Sequence, residues 1–219
     1  MNALSRFSRL VGLAALWFVL AVPAHGQYAT QTLVLSNGWN GVFLEVAPDD
    51  SSCDAVFSNW PVANVSAYVV DSLRPDYTDD TGTNQVSLAE YLVWLPGQPA
   101  GANSLNAIMA GNAYLVYATQ AFQRVISGRP VAPRLEWTPG PAGTLIHQLV
   151  GFRTDGTSTF GQFLAGAGFS MADLSVYTVG GTNILEPTYF KVGWTTASQQ
   201  PVQRGRAYLI AGDRVSDFS

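Results

Sequence analysis

The sequence predicts a mainly β protein: two pseudo-repeated small sheets or half-barrels with short helical turns, sandwich- or barrel-like in form. Three observations predict it. A phrase is written nearly twice, "GNAYLVYA" at residues 111–118 and "GRAYLIAG" at residues 205–212, 94 positions apart. The apolar runs alternate with period two: in "VFLEV", Val42, Leu44 and Val46 share one side while Phe43 and Glu45 share the other, as strands require. Gly and Pro punctuate between the runs, in "LPGQPAG", "SGRPVAP", "WTPGPAG" and "VGGTN".

Taken in order, residues 1–26 read as a secretory signal peptide. Arg6 and Arg9 form a positive n-region, an apolar run follows to Val22, and Ala24 and Gly26 suit cleavage before Gln27. The run is shorter than the roughly 20 apolar residues a membrane helix needs, so the expectation is a secreted or cell-surface protein with no membrane span after cleavage. Removal of Arg6 and Arg9 leaves nine basic and fifteen acidic residues, a formal charge of −6. An acidic surface without a basic cluster argues against nucleic acid as a partner.

The repeat extends beyond one phrase. "GVFLEV" is answered by "HQLVGF", "SSCDAVFSNW" by "TSTFGQFLAG", "NVSAYVV" by "DLSVYTV", and "EYLVWLP" by "TYFKVGW". The order is kept through five blocks, which places a first β repeat at 27–133 and a second at 134–219. Strand composition, rich in β-branched and aromatic residues, supports each pair. The two halves fit one sandwich-like unit and two tandem domains equally well. "SLAE" at residues 87–90 has the form of a capping box, yet "EYLVW" is read as a strand because Pro96 and Gly97 follow at once. "NSLNAIMAG" is read as a short helix, with Asn103 or Ser104 as its N-cap and Gly111 as its stop. "SGRPVAP" at residues 127–133 is read as the connection between halves. The second copy has no equivalent of "FQRVIS", so the expectation is a missing last strand. The chain is then the N-terminal part of a longer protein or a truncated reading frame, or the second copy lost that strand.

Chemistry-bearing patterns are sparse. His147 is the one histidine outside the leader, and Cys53 is the only cysteine. Neither H-E-x-x-H nor a cysteine pair is present, so the usual zinc arrangements are excluded. The carboxylates of "DYTDDTGTN" lack EF-hand spacing and read as a solvated loop. No G-x-S-x-G is present, and His147 sits in a strand-like run. No catalytic residue, metal site or cofactor is therefore assigned, and the chain is read as a non-enzyme. The remaining resource is aromatic: Trp39, Trp94 and Trp194 are the candidate ligand-binding residues, because exposed rings on a sheet stack on sugars. Trp39, between Gly38 and Asn40 at a turn between two strands, is expected either to plug a barrel end or to stand exposed, with plugging preferred.

The stretch "LVLSNGWNGVFLEVAPDDSSCDAVFSNWPVANVSAY", with "WLPG", "GNAYLV" and "SGRPVAP" after it, resembles the duplicated Gly-Trp-Asn β-module at the N-terminus of large secreted or surface proteins of environmental bacteria. That resemblance implies a non-enzymatic extracellular structural or interaction module, whose partners are downstream modules of a longer chain or an extracellular glycan. It carries over no catalytic residue. The second copy reads "PAGTLIHQLVGF" and has no Gly-Trp-Asn. The alternative reading is a carbohydrate-binding module that uses surface aromatics.

Overall fold

The computed structural model describes residues 28–69, 90–99, 101–131, 146–152, 159–162, 174–192 and 201–212. It is mainly β, with three antiparallel sheets and no closed barrel among the described residues. The strands are β1 (Ala29–Leu35), β2 (Gly38–Phe43), β3 (Val46–Ala47), β4 (Val62–Val69), β5 (Glu90–Trp94), β6 (Ala113–Ala118), β7 (Phe122–Pro130), β8 (Ile146–Gly151), β9 (Leu174–Gly180), β10 (Thr188–Lys191) and β11 (Ala207–Gly212). A short helix, α1 (Cys53–Phe57), lies between β3 and β4, and residues 160–162 are also helical.

One four-stranded sheet has the order β2-β6-β4-β5, and a second has β8-β11-β9-β10. The two orders match strand for strand. In both, the "AYL" strand holds the second place, pairing Tyr114 with Val42 in one and Tyr208 with Val150 in the other. Details follow the same scheme. The backbone N–H of Met109 donates to the Tyr114 hydroxyl at 2.7 Å, and that of Gln203 donates to the Tyr208 hydroxyl at 3.0 Å. Ser52 bridges to Ala107, and Thr159 bridges to Pro201. Each bridge precedes a helical turn capped by a hydroxyl: Ser52 Oγ accepts from Ala55 N–H, and Thr159 Oγ1 accepts from Gln162 N–H, as N-caps do.

The strand match contains one slip. Alignment on Ser66 and Ser175 differs by two residues from the register on the central strand, where Val65 faces Val116 and Val176 faces Ile210. A shift of two keeps every side chain on its own face, whereas a shift of one would exchange core and seam.

Alternation divides each sheet into two faces. On β6, Tyr114, Val116 and Ala118 enter a core with Val42, Val65, Trp94 and, from α1, Cys53 and Phe57. A third sheet, β1-β7-β3, closes that core with Leu33, Leu35, Val46 and Ile126. In the second half Phe152, Phe160 and Tyr208 meet edge to face around Val176 and Ile210. The opposite faces of the two four-stranded sheets turn toward each other. There β2 crosses β8, β9 and β11.

Two local expectations are corrected. Residues 103–110 do not form a helix. The Asn103 side chain pairs with the N–H and C=O of Leu95, and Ser104 Oγ accepts from Val93 N–H. Both would-be caps are thus spent on the end of β5, and the segment runs as an irregular strap that buries Leu105 and Ile108. Ser127–Pro130 is strand, not connection, because β7 pairs with β1 as far as Gly128 and with β3 at Arg129 and Pro130. The glycine at 128 is required by that approach, since a Cβ there would overlap the Ala47 carbonyl. The expected strand at "EYLVW" is present as β5.

Candidate functional site

The seam between the two sheets is where the most distinctive local sequence, Gly38-Trp39-Asn40-Gly41, is spent. The tight β1–β2 turn starts it. Asn40 Oδ1 accepts from Ser36 N–H at 2.9 Å, and its amide donates to the carbonyls of Ser36 and Gly38. Gly38 has φ +93°, a conformation that favours glycine. A Cβ on it would overlap the Gly181 carbonyl.

Trp39 is 4 % exposed and is clamped at both of its donors. Its backbone N–H donates to Gly181 O at 2.8 Å, and its indole N–H donates to Asn183 O at 2.7 Å. Tyr117, edge-on to the indole at 5.4 Å, donates its hydroxyl to Thr182 O at 2.8 Å. Three successive carbonyls of the β9–β10 loop are therefore held by the first half. Thr182 and Asn183 are exposed residues, so each bond contributes the modest net energy of an ordinary hydrogen bond, and together they fix where this loop sits against the first half.

Farther along β2, Gly41 packs on Ala207, where a Cβ would overlap the carbonyl. Phe43 N–H donates to Gly205 O at 2.9 Å, and its ring lies where a Cβ on Gly151 would stand. The Phe43 carbonyl accepts from the Gln31 amide at 2.6 Å, while Gln31 Oε1 accepts from Glu45 N–H at 2.8 Å. The next link is ionic: Arg204 Nε donates to the buried Glu45 Oε2 at 2.7 Å, and a second guanidinium nitrogen lies at 2.6 Å. The far end of the seam is marked by Tyr91 and Tyr189, whose hydroxyls meet at 3.2 Å.

Beside this seam opens a cleft of about 230 Å³ bounded by β1, β2, β9 and the chain leading into β11. Thr32, Asn40, Thr178, Gln203, Arg204 and Arg206 supply its polar lining.

The candidate aromatic residues are not brought together. Trp39 is in the seam. Trp94 is 2 % exposed, packed on Phe57 at 5.8 Å and bonded through its indole N–H to Asp54 Oδ1 at 2.8 Å. Neither ring offers a face to solvent. Trp194 lies outside the described residues, as do residues 76–84 with their acidic loop. The Cys53 thiol is pushed up to about 11 by burial, and next by the neighbouring Asp54. It is a packed side chain rather than a thiolate near neutral pH. His147 pairs with Ala211 in the β8–β11 ladder. Among the described residues no group of three His, Cys, Asp or Glu is placed to hold a metal ion, and no helix is long and apolar enough to cross a membrane.

Sequence reasoning missed Arg204 and Arg206. The available signal was divergence: at the repeat spacing they stand where the first copy has Ala110 and Asn112. No family model, curated protein or solved structure matches the chain.

Proposed function

We propose that this chain is a non-catalytic structural or interaction module that works outside the cell. One observation carries the reading: Gly38, Trp39 and Gly41 are consumed in docking one four-stranded sheet onto the other, and Asn40 fixes the turn that presents them. A motif so used builds a scaffold and leaves no reactive group for chemistry. The matching strand orders, bridges and tyrosine contacts support an internal duplication of the kind the Gly-Trp-Asn resemblance implies. On that reading the motif occurs once because a two-sheet seam needs it once. The leader-like residues 1–26 support export, and the partners are downstream modules of a longer chain or an extracellular glycan.

The test is fractionation of cells producing a C-terminally tagged chain, with N-terminal sequencing of the product. The expected product begins at Gln27 and lies in the extracellular or surface fraction. A cytoplasmic product that keeps its first 26 residues overturns the proposal. Carbohydrate binding through surface aromatics, the alternative, draws no support from Trp39 or Trp94, whose rings are buried.

A further inference from the structure

We propose that the cleft beside the seam binds a carboxylate-bearing sugar, one uronic-acid unit of an acidic glycan, with Arg206 as its anchor. The argument begins with charge. Two guanidinium groups line the cleft, and a single internal carboxylate serves them. Glu45 neutralises Arg204 through two close contacts to one oxygen. Arg206 is exposed and has no carboxylate partner among the described residues. Among the described residues the cleft therefore keeps a net positive charge, on a chain whose overall formal charge is −4. A guanidinium fork matches a carboxylate in plane and spacing.

Size and lining narrow the ligand. At about 230 Å³ the cleft is smaller than the roughly 300–1,000 Å³ of sites for drug-sized molecules, so it suits a single ring. Thr32, Thr178 and Gln203 give hydroxyl and amide partners for sugar hydroxyls, and Val34, 67 % exposed, gives an apolar wall for a CH face. An extended peptide fits less well. Such a ligand needs a row of free backbone groups, and the outer edge of β2 already gives Trp39 N–H to Gly181 and Phe43 N–H to Gly205. The position at the junction of two packed halves is also where small-ligand sites concentrate. This inference needs no exposed tryptophan, and it stands whether or not the module is exported.

The test is titration calorimetry of the intact chain with tri-galacturonic acid, with its fully methyl-esterified form, and with a short peptide ending in aspartate. The acid is expected to bind, and the ester, which keeps the rings and loses the charge, at least roughly ten-fold more weakly. Arg206→Gln is expected to weaken the acid by a similar factor at an unchanged unfolding midpoint, because the side chain lies outside the Glu45 ion pair. Raising the salt concentration is expected to weaken binding of the acid, as for any exposed charge pair. Equal binding of acid and ester, an unaffected R206Q variant, or no binding at millimolar sugar overturns the proposal. Preference for the peptide over the sugar overturns it in favour of a protein partner.

Discussion

Phe43 and Gly151 occupy the same place in their two sheets, paired with Ala113 and Ala207 respectively, and they also touch each other. A Cβ added at Gly151 would overlap Cβ and the ring of Phe43. The ring cannot retreat freely, since it is 2 % exposed and the Phe43 backbone is held by Gly205 and Gln31. Gly151→Ala should therefore cost about 1–3 kcal/mol, the usual range for overpacking. Phe43→Ala should cost about 3–5 kcal/mol through lost burial and a cavity. In the double variant the ring is gone but the Cβ of residue 43 still stands against the added methyl, so the cost should lie between that of Phe43→Ala alone and the sum of the two. The coupling is then a part of the Gly151→Ala cost, about 0.5–1.5 kcal/mol, within the range for residues in contact. Urea unfolding followed by tryptophan fluorescence reads each midpoint, and an unchanged m-value would establish that only stability moved. Additive costs, or a Gly151→Ala variant within about 0.5 kcal/mol of the parent, would refute the packing argument.

Trp39→Phe should lower stability by about 0.5–1.5 kcal/mol, because the Asn183 carbonyl loses the indole hydrogen bond and keeps only the one from Glu186 N–H; hydrogen exchange at residues 181–186 should accelerate, and unchanged protection there would contradict the clamp. Gly38→Ala should cost at least about 1–2 kcal/mol from its φ of +93°, with further loss from overlap with Gly181, read as a drop in urea midpoint. Arg204→Ala should cost on the order of 1–3 kcal/mol, below the roughly 3–5 of a fully buried pair because the Arg204 side chain is 56 % exposed; a midpoint equal to the parent's would show Glu45 to be satisfied without it. Burial holds the Cys53 proton to about 11 in the fold, against 9.0 for a free thiol. Its stabilising contribution is complete below pH 9 and is lost as pH rises toward 11. Urea midpoints should thus fall between pH 9 and 11, and Cys53→Ala should flatten that fall; a parent midpoint that is level or rising there would exclude the effect.

Strand positions along the chain were legible because period-two alternation and Gly/Pro punctuation are local signals, whereas the order of strands within each sheet was not. The equivalence of the "AYL" strands was also legible, since both hold the second place in their sheets. What was not legible depends on partners distant in sequence. Asn103 and Ser104 have the chemistry of helix caps, and only the nearness of β5 turns them to Val93 and Leu95. The Gly-Arg-Pro run looked like a linker because nothing local says that β7 is flanked by β1 and β3. Of the candidate ligand residues, Trp39 is buried, but in a seam between two sheets and not at the end of a barrel, and its two carbonyl partners lie more than 140 residues away in sequence. Arg204 and Arg206 carried no local pattern; the Arg204–Glu45 ion pair and the cleft exist only where the halves meet.

The seam also bears on why the two copies diverge where they do. When two equivalent surfaces pack on each other, a residue near the local symmetry axis meets its own counterpart. Two large rings cannot share such a place, and two glycines leave it empty. Phe43 against Gly151 fills it once. Tyrosine has a different solution, because one hydroxyl can donate while its twin accepts. Tyr91 and Tyr189, counterparts in "EYLVW" and "TYFKV", meet in that way at 3.2 Å. The same logic applies to Gly-Trp-Asn. Trp39 reaches across to the Gly181 and Asn183 carbonyls, and a second tryptophan at the matching position of β8 would need two equivalent carbonyls on the first half. Between β4 and β5 the first copy has 20 residues, whereas β9 and β10 are joined by seven. The acceptor loop is particular to the second half, so the donor is particular to the first. Transplanting the tight β9–β10 connection between β4 and β5 is thus the substitution that would make a second Gly-Trp-Asn tolerable, and without it a tryptophan at the matching position, His147→Trp, should destabilise the fold.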